Sequence, residues 1–185
     1  AARALVGVED NGLRFSLLQK GTSAQYRVPP QKAQSPAQHL QWLSQHAPKQ
    51  IFDYAWEMAR SRKMSAQKKA YLLFDAADRL RKLKKLRLAE KLSLQITKLG
   101  VGKQLQAQAL FDAAFLCWQR GGPVVHCKNL FQHHYTSYPS SHYREETLYR
   151  LIELCGKQHK GMTPCRALLL RYSKDYPQGR YTKSV

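Results

Sequence analysis

Acidic residues are scarce in this chain: 12 Asp+Glu stand against 31 Lys+Arg in 185 residues, a formal charge of +19. Paired carboxylates for general acid–base work are correspondingly few. Glu145-Glu146 are neighbours at the opening of an expected helix, where negative charge suits the helix dipole. No nucleophile elbow, phosphate loop, zincin helix or kinase signature is present. No enzymatic activity is therefore expected, and no cofactor. Nor does any apolar run approach the roughly 18–20 residues that span a bilayer. Disorder of the whole chain is excluded by 43% hydrophobic and 10% aromatic content. A secretory signal is not visible, and the sequence begins Ala-Ala-Arg without a methionine. A processed form or a piece of something longer is expected, with a signal peptide or membrane anchor upstream compatible with it. What is abundant is positive charge. Its field attracts polyanions, whether nucleic acid, anionic lipid head groups, anionic polymers or an acidic protein; the alternative is that it only keeps the protein soluble.

Self-similarity at an offset of 38 organises the rest. Sliding residues 106–143 onto 144–181 sets Leu110 on Leu148, Cys117 on Cys155, Cys127 on Cys165, Phe131 on Leu169, Tyr138-Pro139 on Tyr176-Pro177 and Tyr143 on Tyr181. One shift back, Leu72 meets Leu110, Ala76 meets Ala114 and Ala89 meets Cys127. A further shift lays Ile51 and Ala55 on Ala89 and Ser93, so residues 49–62 read as the second helix of an earlier, degenerate unit. The count is about three and a half units.

Each unit reads as two helices. In the last, Tyr143, Thr147, Leu148, Leu151, Ile152 and Cys155 recur at helical spacing. Gly156 to Pro164 carries turn signals, and Thr163 is a candidate N-cap with Pro164 at the first helical position. Leu168, Leu169 and Tyr172 form the second stripe, which Tyr176-Pro177 stops. The preceding unit predicts a helix over about 103–119, a break at Gly121-Gly122-Pro123 and a helix to Tyr138. Upstream, Ser35-Pro36-Ala37-Gln38 looks like a capping box opening a helix through about Ala47, and Ser65 caps another from Ala66. Nothing breaks residues 65–99, so one helix or two remain open there.

The segments FQHHYTSYPSSHY (131–143) and LLRYSKDYPQGRY (169–181) resemble the ends of bacterial tetratricopeptide repeats. Such repeats occur in exported proteins of the Tol–Pal coordinator and outer-membrane assembly lipoprotein kind. The resemblance covers roughly residues 65–185 and departs in length, since the usual unit has about 34 residues. It implies an all-α solenoid of antiparallel helix pairs over 31–185, whose groove binds a protein or peptide. It also implies a periplasmic, cell-envelope setting. Residues 1–30 read differently: Val6-Gly7-Val8, the turn Asp10-Asn11-Gly12, then Leu13–Leu17 predict a β-hairpin, with Gln25–Val28 as a third strand. They form a short hairpin segment or the remnant of an upstream β domain. This stretch resembles the end of the sensor domain of FecR-type regulators, which would make signalling its context. Residues 29–36 are the linker.

Cys117 and Cys127, and Cys155 and Cys165, would each join the end of one helix to the start of the next, close enough for a disulfide. The older unit carries Arg79 and Ala89 instead. Lacking both together marks the cysteines as partners, and disulfides imply an oxidising compartment. Buried thiols are an alternative. Metal binding would recruit His126, His133, His134 or His159, but no tight cluster of zinc type exists, and none is expected. His133 and His134 read as surface or groove residues.

Residues 79–91 (RLRKLKKLRLAEK) hold seven basic residues and one acid. Arg79, Arg81, Lys82, Lys84, Lys85, Arg87 and Lys91 form either the solvated outer face of a repeat helix or a binding surface for phosphate or carboxylate groups. The expectation is a periplasmic protein–protein interaction module with a basic face and an acidic partner. The alternative is a basic helical repeat protein that binds nucleic acid.

Overall fold

A computed structural model describes residues 35–159 and 163–184 in full, and the backbone alone of three earlier strands. These are β1 (Ala4–Glu9), β2 (Gly12–Gln19) and β3 (Thr22–Arg27), paired antiparallel in the order β1-β2-β3. Residues 10 and 11 of the expected turn lie outside the described residues. From residue 35 onward the regular elements of the described residues are helical: α1 (Pro36–His46), α2 (Ile51–Arg60), α3 (Ala66–Lys82), α4 (Leu86–Thr97), α5 (Lys103–Gln119), α6 (Val124–Ser137), α7 (Arg144–His159) and α8 (Arg166–Asp175). Among the described residues no helix is long and apolar enough to cross a membrane.

Local chemistry sets the helix ends. Ser35 Oγ accepts from Gln38 N at 3.3 Å and Ser65 Oγ from Lys68 N at 3.4 Å, each satisfying an orphan amide of a first turn. Ala47, Tyr138 and Tyr176 each precede a proline, and each turns out of its helix with φ between −129° and −147° while its N–H still reaches the carbonyl four residues back. Proline excludes the helical conformation from the residue before it, so three helices end alike. Residues 65–99 form two helices. The turn is a left-handed cap at Lys84, φ 59°, with Lys85 N bonding Leu80 O at 2.8 Å and Lys84 N bonding Arg81 O at 3.0 Å. The same double bond recurs after α5, where Gly121 (φ 68°) and Gly122 bond Trp118 O and Cys117 O. A Cβ on Gly122 would stand 2.8 Å from Cys117 Sγ, so that backbone approaches the sulfur as only glycine can.

Two expected boundaries move. The helix α7 runs through Gly156 to His159, because apolar burial of Leu151, Ile152, Leu154 and Cys155 outweighs one glycine's helical penalty. Thr163–Cys165 form a single 3-10 turn and α8 starts at Arg166, so Thr163 is not its cap.

Consecutive helices run antiparallel, since partners converge as the chain doubles back: Cys117 with Cys127 and Phe111 with Phe131 across α5–α6, His134 with Thr147 and Lys128 with Gln158 across α6–α7. The 38-residue register holds in the packing. Leu72, Leu110 and Leu148 are buried, as are Ile51, Ala89, Cys127 and Cys165. Phe111 stacks on Tyr143 at 4.3 Å, and 38 residues on Tyr149 stacks on Tyr181 at 4.1 Å. Two apolar clusters result. Leu40, Leu43, Ile51, Leu73, Leu80, Leu92 and Ile96 centre the first; Phe111, Phe131, Leu148, Leu151, Ile152 and Tyr172 centre the second. Helix α5 separates them, giving Ala109 and Leu116 to one and Phe111, Ala114 and Cys117 to the other. A helix flanked on both sides is apolar nearly all round, as its sequence is.

Candidate functional site

Helix α5 faces α3 across a hollow of about 320 Å³ lined by Phe74, Ala77, Asp78 and Arg81 from α3, Gln108, Asp112, Phe115 and Leu116 from α5, and Ser93 from α4. Two further depressions adjoin it at Gln108. One is bounded by Gln67, Tyr71, Gly100, Val101, Gly102 and Leu105, the other by Lys103, Gln104 and the loop from Ser137 to His142. On the far side Arg150 of α7 lies 4.0 Å over the Trp118 ring and 5.5 Å from Phe115, clamped by Glu146 at 3.1 Å and Glu153 at 2.8 Å.

The groove is not basic. Asp78 sits below the usual carboxylate range, held there by hydrogen bonds from Lys82 and Arg81. Asp112 accepts no hydrogen bond among the described residues, and burial pushes its carboxyl up to about 6 against the pull of Arg81. The carboxyl is only partly buried, and a ligand group that donates a hydrogen bond or carries positive charge would favour its ionised form.

The seven basic residues of 79–91 divide. Arg79 is half-buried, its guanidinium on Asp75 at 2.9 Å and on Ser44 of α1 at 2.7 Å, which makes it a strut between helices. Arg81 and Lys82 both pair with Asp78, at 2.6 and 2.7 Å, and Arg81 lines the groove. Lys84, Lys85, Arg87 and Lys91 are exposed and make no ion pair among the described residues. They cluster at the α3–α4 turn and the start of α4, where no acidic residue offsets the positive end of the helix.

Both cysteine pairs form: Cys117–Cys127 with Cα atoms 5.5 Å apart and Cys155–Cys165 with 5.9 Å. No free cysteine is left, and two bridges of this kind point to an oxidising compartment.

Two residues escaped the sequence reading. His134 is fully buried, not a surface or groove residue: its ring lies 2.8 Å from Thr147 Oγ1 and 3.1 Å from Ser141 Oγ. It occupies the core position that Ile96 and Tyr172 fill in the neighbouring units, which the 38-residue offset could have revealed. Glu90, the one acid of the basic segment, is buried in α4, with Arg120 Nε donating to Oε2 at 2.7 Å and His126 Nε2 lying 2.9 Å from Oε1. Only a lone acid among cations hinted at it. No family model, no curated protein and no solved structure matches the chain.

Proposed function

We propose that this chain is a tetratricopeptide-like interaction module of the bacterial cell envelope, periplasmic in setting and without catalytic activity. It holds a protein or peptide along the α3–α5 groove and an acidic stretch of the same partner at the α3–α4 turn. The observation that carries this reading is the junction at Arg81, which lines the groove while belonging to the basic segment that continues into Lys84, Lys85, Arg87 and Lys91. Helix pairs that bury their apolar faces on one another leave such a face free for ligands. The resemblance of residues 131–143 and 169–181 to exported repeats supports the setting, together with the two disulfides.

Fluorescence anisotropy with a labelled glutamate-rich peptide containing aromatic residues tests it. Binding should persist near about 0.15 M salt and fall at least about tenfold when Lys84, Lys85, Arg87 and Lys91 are all changed to Gln. Unchanged binding by that variant would sink the assignment. The second reading, a nucleic-acid binder, rests on the same four unpaired cations; an oligonucleotide that binds more tightly than the peptide at about 0.15 M salt would favour it. Four free thiols in protein taken directly from its cell would remove the exported setting.

A further inference from the structure

The two disulfides occupy equivalent places but have different neighbours. At Cys155–Cys165 the residues 38 positions beyond Glu90, Arg120 and His126 are Lys128, Gln158 and Pro164, with Lys128 Nζ donating to Gln158 Oε1 at 3.2 Å. That pair has neither a carboxylate nor an imidazole in those places. At Cys117–Cys127, Glu90, Cys117 and His126 bring one donor atom each within 4.8 Å of one another. We propose that reduction of Cys117–Cys127 opens a site for one thiophilic divalent cation of zinc type, held by Cys117, Cys127, Glu90 and His126.

The donor set is two thiolates, one imidazole and one carboxylate, which suits tetrahedral zinc at about 2.0–2.3 Å per bond. Glu90 Oε1 and His126 Nε2 already face each other at 2.9 Å, and an ion bridging them takes the place of the proton between them. Arg120 Nε holds the other oxygen, Oε2, at 2.7 Å, which fixes the carboxylate with Oε1 turned inward. Its Nη2 lies 4.0 Å from Cys117 Sγ and favours the thiolate. Two thiolates, Glu90, Arg120 and a dication sum to zero charge, so the buried cluster carries no net penalty of one sign. The His126 side chain is 45% exposed and gives the ion an entrance. The chemistry balances: a dithiol delivers two electrons and two protons to the sulfurs and leaves as its own disulfide, and the cation then displaces one proton from each thiol.

Cobalt(II) reports on such a site through thiolate charge-transfer and tetrahedral d–d absorption. The full chain carrying Cys155→Ala and Cys165→Ala, reduced with a phosphine, should bind one Co²⁺ with both signatures and release it to Zn²⁺. Without reductant the signatures should be absent. Glu90→Gln or His126→Ala should weaken Co²⁺ binding at least about tenfold. The proposal is overturned if neither substitution changes the affinity, if no thiolate band appears, or if the mirror protein with Cys117→Ala and Cys127→Ala binds Co²⁺ equally well. Should reduction unfold the chain, Zn²⁺ must restore helical circular dichroism in the parent and not in His126→Ala; failure to restore it in the parent also overturns the proposal.

Discussion

Protonating His134 is the sharpest test of how the second core is held. The ring is completely buried between α6 and the start of α7. Thr147 Oγ1 donates its one hydrogen to Tyr143 O at 2.9 Å, so it receives the Nδ1–H of His134 at 2.8 Å. Nε2 then accepts from Ser141 at 3.1 Å, and Ser141 Oγ in turn accepts from Tyr143 N. That assignment uses the neutral ring only. Burial first, then the charges of His142 and His133, lower its pKa from 6.5 to about 4. In the unfolded chain the same ring takes a proton below about 6.5, so the unfolded state binds more protons between these limits. Stability is therefore fully present above pH 6.5 and drains away as pH falls to about 4, by up to about 3 kcal/mol from this residue. Urea denaturation at intervals between about pH 4.5 and 7.5 measures the loss. In His134→Asn, whose amide can still donate to Thr147, the variant should be weaker at neutral pH and its stability should fall less steeply with acid, by about one proton's worth. Equal slopes in the two proteins, or a His134 resonance that titrates near 6.5, would refute the argument.

Two further outcomes follow from the groove carboxyl and from the second disulfide. Asp112 in the groove keeps its proton up to about 6 when folded but only to 3.8 when unfolded, so its ionisation costs stability as pH rises through that window; Asp112→Asn should gain about 1–3 kcal/mol at pH 7.5 and nothing at pH 4, read by thermal melts at both. Replacing Cys155 and Cys165 by alanine opens a loop of sequence separation 10 and should cost about 3 kcal/mol by chain entropy, seen as a lower urea midpoint.

Much of the scaffold could be read in advance because its signals are local. A serine before a proline or alanine, a tyrosine before a proline and a cysteine pair recurring at one offset each act within a turn or two, and all of them stand where the sequence puts them. The misses have a common cause. The α3–α4 turn uses Lys84 where the next unit uses Gly121, so the left-handed cap carries no residue signal. Gly156 looks like a turn residue but lies inside α7, because the apolar face around it is decided by α6 and α8. Glu90 and His134 look like surface residues in a polar neighbourhood, and only partners 30 or 36 and 7 or 13 positions away take them inside. The buried ladder positions were legible in the sequence, whereas of the residues that line the hollow only Arg81 was a binding candidate there.

That last difference has a physical basis in the repeat itself. Positions 72, 110 and 148 are all leucine and all buried, since each must fill the same gap between neighbouring helices and a change of volume is felt at once. Positions 74, 112 and 150 stand on the same three helices two residues further on, and they read Phe, Asp and Arg. Phe74 and Asp112 line the hollow, while Arg150 lies against Trp118 beyond it. Close packing does not constrain them to one chemistry, so the repeat presents an apolar ring, a half-buried carboxyl and a clamped guanidinium on successive units. A partner that matched only one of these would gain one contact and pay the full entropic cost of association. Under the proposed function, specificity in such a surface would come from engaging several units at once.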